Sequence, residues 1–113
     1  MIPADVRAEL AADPFMFRCF RWRERGCAGR VEWEHAWIYA GEQMQLRWSI
    51  IPCCTFHHRG AGLDKNLNRF CALLRMTPAE LAAAEIEYDR VNWRQQISWL
   101  TGVYPDFRLP VLL

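Results

Sequence analysis

Four residues of the 113-residue chain carry the donor atoms and spacing of a tetrahedral zinc site: Cys19 and Cys27, then Cys54 and His57. Cys54-Thr55-Phe56-His57 is a C-x-x-H step, which lets two ligands leave one tight turn toward a single ion. Seven residues separate Cys19 from Cys27, so that loop must curl back. Cys53 competes with Cys54 for the same role, and the two-residue gap to His57 favours Cys54. The alternative is a set of buried thiols beside a hydrogen-bonded His57. Zinc has the larger structural consequence, because it would tie an irregular arginine-rich loop to the turn before a helix in a chain with a modest core.

Three more polar residues lie near that scaffold: Glu34, His35 and His58. Glu34-His35 stands inside an extended run between Trp33 and Trp37. Neighbours on a strand face opposite sides, so both reach one site only at a strand end or a bulge. His58 follows the C-x-x-H turn, at or near the start of the next helix. If the two extended runs pair as a hairpin, the one ending at Ile51-Pro52 delivers residues 54–58 beside Glu34-His35. Taken singly, these residues read as an edge-strand surface pair and a helix cap.

The elements that must position them follow from local pattern. Pro3 to Ala12 reads as a short helix ended by Asp13-Pro14. Phe15 to Gly29 is irregular, and Val31 to Tyr39 is β-branched and aromatic, hence extended. Gly41 to Gln45 is turn-like, Trp48 to Ile51 is a second extended run, and Pro52 closes it. A helix runs from about Asp64 to Arg75, with Leu67, Phe70, Cys71 and Leu74 at helical spacing. Thr77-Pro78-Ala79-Glu80 starts another, with a capping box and a proline at its first turn. It continues toward Leu100 with a break near Tyr88-Asp89, and Thr101-Gly102 ends it. Trp93 and Trp99 are expected in the core. The expected fold class is α+β in one domain: an N-terminal helix (1–17), a zinc-stapled middle (18–75), a C-terminal helical part (76–105) and an extended tail (106–113).

Apolar residues make up 52% of the chain and charged ones 24%, ordinary globular usage that excludes disorder, collagen and coiled coil. No apolar run is long enough to span a membrane. The start lacks the basic and apolar regions of a signal peptide, and five cysteines is an odd number, so reduced thiols in a cytoplasm are expected. The net charge of +1 hides a segregation: residues 18–75 carry +5, and each flank carries −2. Thirteen of the fourteen basic residues are Arg, whose planar fork suits phosphate oxygens. The two readings of this middle are a solvated arginine surface and a phosphate-bearing partner.

His35, position 49 and His58 are separated in the rhythm of a His–Asn–His motif. With Glu34 before the first His and the ending Cys54-Thr55-Phe56-His57-His58, the stretch from about Cys19 to Asn68 resembles the HNH (ββα-metal, His-Me finger) nucleases. More narrowly, Val31 to Gly41 and Ile51 to Gly60 resemble small zinc-stabilised HNH-like proteins of phages and prophages. The resemblance implies a ββα-metal core, a β-hairpin plus helix, with a structural zinc and a wrapping of N- and C-terminal helices. It implies His35 as general base, and Glu34 with His58 holding one Mg²⁺ or Mn²⁺ against the scissile phosphate. Cys19, Cys27, Cys54 and His57 would hold the zinc, and Arg59 with Arg47 or Arg30 would contact flanking phosphates. Ser49 stands where the family commonly has Asn; its hydroxyl replaces only part of that residue's bracing of the loop carrying the base. The implied activity is DNA hydrolysis in a host cytoplasm. The other reading is a non-catalytic phage-type protein that binds nucleic acid or a host nucleic-acid-handling or defence complex.

Overall fold

A computed structural model describes residues 1–110 and has an α+β architecture. Helix α1 (Ala4–Ala12) stops at Asp13, which is held extended by the following proline and whose carboxylate accepts from the Phe15 N–H at 3.0 Å, capping a 3₁₀ turn at Pro14–Phe17. Strands β1 (Val31–His35) and β4 (Ile50–Cys54) pair antiparallel, with Val31 opposite Cys54 and His35 opposite Ile50. Between them lies a smaller ribbon, β2 (Ile38–Tyr39) against β3 (Glu42–Gln43). Its two-residue turn, Ala40-Gly41, has positive φ at both positions, the geometry that matches strand twist in a tight hairpin. The single extended run expected over 31–39 is therefore broken at Ala36-Trp37, and part of the expected 41–45 turn is strand.

Pro52 does not close the second strand, which begins at Ile50 and runs through it to Cys54. In an antiparallel ladder a residue's N–H and C=O face the same edge. The Pro52 carbonyl accepts from the Phe20 N–H at 2.9 Å, on the side away from β1, so the missing proline N–H removes no ladder bond.

Four further helices follow: α2 (Thr55–Arg59), α3 (Lys65–Arg75), α4 (Pro78–Glu87) and α5 (Trp93–Val103). Asp64 caps α3, Asn92 caps α5, and Thr77 with Glu80 forms the expected capping box on α4. The break between α4 and α5 falls at residues 88–92, and α5 continues one residue past Gly102. The expected tail is described only as far as Pro110, with no helix or strand after α5; residues 111–113 lie outside the described part.

The main core gathers Trp37, Trp48 and Trp93, with ring centroids 5.1 and 5.5 Å apart around Trp93, and packs them on Phe70, Cys71 and Leu73 of α3. Trp99 is not part of it: residues 93, 97, 100 and 104 form the inward stripe of α5, and Trp99 falls outside that stripe, 51% exposed. Leu74 likewise sits at the edge of α3 rather than in its buried face.

Candidate metal centres

The β4–α2 junction brings the first set of donors together. Cys54 ends β4 and is the residue before α2, so His57 lies one helical turn on and both side chains leave the same corner. Cys19 is held against β4 by the neighbouring Phe20–Pro52 hydrogen bond. Cys27 lies between Gly26 and Gly29, both at positive φ, in a bend whose Ala28 and Arg30 carbonyls accept the Phe56 and Thr55 N–H groups. A side chain at position 29 would put its Cβ 2.5 Å from the Thr55 hydroxyl, so only glycine lets this bend lie on α2.

The ligating atoms of Cys19, Cys27, Cys54 and His57 lie within 4.8 Å of one another. His57 Nδ1 is 3.5, 3.6 and 3.1 Å from the sulfurs of Cys19, Cys27 and Cys54. One ring nitrogen has a single proton or a single lone pair, so three thiols converging on it cannot be a hydrogen-bond network. Tetrahedral zinc, with bonds of about 2.3 Å to sulfur and about 2.0 Å to nitrogen, sets S···N separations of about 3.5 Å. The donor set fits that ion.

The thiols answer to their surroundings in different ways. Burial pushes the Cys19 thiol up, against N–H groups of Cys54 and Arg21 that stabilise its anion. Cys27 is exposed as a residue, but loss of water at its sulfur, together with neighbouring Cys19, pushes it up to about 12. Cys54 is also desolvated, yet the N–H groups of His57 and Ala28 outweigh this and hold it below the ordinary thiol value. Burial, then the Arg21 charge, lowers His57 and keeps its ring neutral as a ligand must be. Cys53 faces the opposite side of β4, fully buried, with Asn68 Oδ1 4.0 Å from its sulfur. Strand alternation therefore selects Cys54.

A second set of groups lies on the other side of α2. Glu32 and Glu34 sit two residues apart on β1 and so share one face. His58 lies between them: Nδ1 is 2.8 Å from Glu32 and Nε2 is 2.7 Å from Glu34. The bond from His58 holds the Glu32 carboxyl below the usual range, helped by the Arg59 charge. Burial raises Glu34, against the opposing charges of His58, His35 and Lys65. With the Nδ1 proton directed at Glu32, Nε2 and the Glu34 oxygen are two electron-pair donors that need a proton or a cation between them.

His35 closes β1, the strand-end position from which it can share a site with Glu34. Its Nε2 lies 2.9 Å from Gln45 Oε1. Ser49 is fully buried three residues before Pro52; its hydroxyl accepts the Leu46 N–H at 3.0 Å and faces the Met44 and Leu46 carbonyls at 3.1 and 3.0 Å. It thus ties down the loop on which Gln45 sits. Glu34, His35 and His58 line one side of a cleft of about 260 Å³, and Lys65, Asn68 and Arg69 of α3 line another.

The arginines marked as phosphate contacts are placed differently from one another. Arg59 donates to Glu32 at 2.8 Å and Arg30 lies 3.6 Å from the same carboxylate, both at the edge of the His58 site. Arg47 is engaged by Glu80 at 2.6 and 2.9 Å and by the Arg75 carbonyl at 2.7 Å. Glu32, Gln45, Lys65 and Arg69 went unmarked by sequence reasoning. For Glu32 the signal was present, since a strand residue two places before Glu34 must share its face.

Among the described residues no helix is long and apolar enough to cross a membrane. Comparison of the chain with protein-family models, with curated proteins and with solved structures gives no match.

Proposed function

We propose that the chain is a metal-dependent endonuclease of the HNH, ββα-metal type that hydrolyses phosphodiester bonds in DNA. The observation that carries this reading is the meeting of Glu34, His35 and His58 on one cleft, with His58 Nε2 2.7 Å from Glu34. Neighbouring ligands of an octahedral divalent ion, each about 2.1 Å from it, lie about 3.0 Å apart, so this pair needs little adjustment to share one. Glu32 on the far nitrogen then fixes the orientation of the ring. Glu34 and His58 would hold a Mg²⁺ or Mn²⁺ ion, whose chemistry would be neutralisation of the negative charge that develops in the reaction.

His35 is the base. Its Nε2 proton is directed at Gln45 Oε1, which leaves the Nδ1 lone pair for the attacking water. The water's proton passes to Nδ1, its oxygen bonds to phosphorus, and the P–O bond to the leaving oxygen breaks, that oxygen taking a proton from solvent. Ser49 acts one step back, by fixing the loop that carries Gln45. The zinc of Cys19, Cys27, Cys54 and His57 takes no part in the chemistry and holds α2 in place. Reduced thiols at that site suit a cytoplasm, a host's in the case of a phage protein.

The experiment is nicking of supercoiled plasmid with Mg²⁺ or Mn²⁺. Activity is expected to need the added ion and to fall about 10²–10⁴-fold in His35→Ala, with zinc content and circular dichroism unchanged. Absence of divalent-dependent nicking, or full activity without His35, refutes the proposal.

One observation favours a second reading, a non-catalytic zinc-stabilised HNH-like binding protein of phage origin. Both His58 nitrogens already have carboxylate partners, which suits a rigid scaffold as well as a metal site. That protein would bind DNA or a host nucleic-acid-handling or defence complex, with an affinity indifferent to His35→Ala.

A further inference from the structure

We propose that Lys65, Asn68 and Arg69 form a phosphate-holding wall that seats the sugar–phosphate backbone of a nucleic-acid strand against His35 and the His58–Glu34 pair. The substrate class rests on the nucleolytic reading above; the location rests on the cleft. Residues 65, 68 and 69 are spaced by three and four along α3, so they project from one helical face, and all three line the cleft.

Each arrives with donors to spare. Among the described residues neither Lys65 nor Arg69 has a carboxylate within ion-pair distance, whereas Arg30, Arg47 and Arg59 all do. The Arg69 guanidinium lies over the Trp37 ring, 5.6 Å from its centroid, which limits its freedom before any ligand arrives. Asn68 is 3% exposed, and among the described residues the one polar contact of its side chain is the weak one between Oδ1 and the Cys53 thiol. Its amide N–H groups are left for something in the cleft. The helix end that carries these groups is anchored, since Asp64 caps Leu67 N and accepts the Tyr104 hydroxyl at 2.8 Å.

The cleft selects the size of what it takes. A volume of about 260 Å³ lies below the range of about 300–1,000 Å³ typical of whole small-molecule ligands. It suits one backbone phosphate with its adjoining sugar, not a base pair. Two cations and an amide on one wall, facing an imidazole and a carboxylate on the other, would hold a phosphodiester with its phosphorus turned toward His35.

The test measures binding without cleavage, in a His35→Ala background, using a short fluorescent DNA duplex across a salt series. Each phosphate contact contributes about 0.9 to the slope of log K against log salt. Removing two by K65Q/R69Q lowers that slope by about 1.8. Between about 50 and 200 mM salt the parent then loses about 12-fold more affinity than the variant. K65Q alone changes an exposed side chain, cannot disturb the Trp37 packing, and gives about 3.5-fold over the same range. Arg7→Gln, on the exposed face of α1, leaves the slope unchanged. Equal slopes for the parent, K65Q and K65Q/R69Q, at equal zinc content, overturn the inference while leaving nuclease activity standing. A slope that depends on Lys65 and Arg69 in a protein that nicks nothing upholds the wall and removes the nuclease. Absence of DNA binding by the parent removes both.

Discussion

Zinc affinity should depend steeply on pH, and the steepness follows from how the four donors are held. A thiol must lose its proton to ligate zinc, so each ligand still protonated in the metal-free protein releases one proton on binding. Cys19 is pushed up by burial and Cys27 up to about 12, so both carry protons at neutral pH. Cys54 lies below the ordinary thiol value and contributes at most part of a third. His57 is lowered by burial, which favours the neutral ring that a ligand needs, so the thiols carry the proton release. The zinc form therefore binds between two and three fewer protons than the metal-free form, and affinity rises with pH. Going from about pH 7 to about pH 6 should weaken binding about 10²–10³-fold, since each released proton is worth about 1.4 kcal/mol per pH unit. At fixed free zinc, the stabilisation of the folded state by the metal drops by about 2.7–4.1 kcal/mol over the same step.

Competition against a chromophoric chelator at several pH values gives the slope. Calorimetry in buffers of different ionisation heat counts the protons independently. Cys27→Ser should take one unit off the slope, because that position supplies a full proton. A slope of one or less in the native sequence, or an unchanged slope in Cys27→Ser, would refute the assignment of these residues to one ion.

Two other perturbations probe the surroundings. Arg47→Ala removes the partner of a partly buried carboxylate and of the Arg75 carbonyl; unfolding should show a loss of about 2 kcal/mol at neutral pH. Burial alone would raise Glu80, but Arg47 and the Thr77 N–H hold it low. A depressed carboxyl stabilises above its unfolded value of about 4.3, and this is lost as the pH falls through the folded value, so the native and variant curves should converge in acid. On the proposed nuclease reading, Gln45→Ala should lower kcat about tenfold with KM, zinc content and fold unchanged, since His35 would lose orientation but keep its ring; Gln45→Asn, with the same amide on a shorter arm, should recover part of the rate.

Much of the zinc cluster was legible because its decisive half is local. Cys54 and His57 are three residues apart, and any strand-to-helix corner there brings them together. The choice between Cys53 and Cys54 needed only the alternation of a strand, once the strand was known to extend that far. That extension was hidden by Pro52. Whether a proline ends a strand depends on which edge its nitrogen faces, and here the answer lies with Phe20, more than thirty residues away. The same limit applies to charge. Counting arginines located a basic middle, but Arg47 and Arg69 look alike in sequence, and only packing shows that one faces Glu80 and the other lines a cleft. Gln45 is hidden for a related reason: its meeting with His35 depends on the Ala40-Gly41 turn and on the hydroxyl of Ser49. Trp99 misled because hydrophobic type was read without its helical phase.

The two centres are mechanically one device, and the reason is the length of α2. A five-residue helix cannot hold its own shape in water, because nucleation costs more than one or two turn hydrogen bonds return. Its direction must come from outside, and the two sides offer different anchors. His57 points into the three sulfurs, while His58, the next residue and about 100° around the axis, points between Glu32 and Glu34. A zinc ion held on the first side would fix the rotation of α2 about its axis, and that rotation sets where the His58 nitrogens lie. Without an ion, the loop of residues 18–30 still holds the start of α2 through the Ala28 and Arg30 carbonyls, but those two bonds act on the backbone at Phe56 and Thr55 and leave the far end of the helix less restrained. On the proposed reading, the cluster that does no chemistry would aim the imidazole of the second site, which accounts for two adjacent histidines facing two different sets of partners.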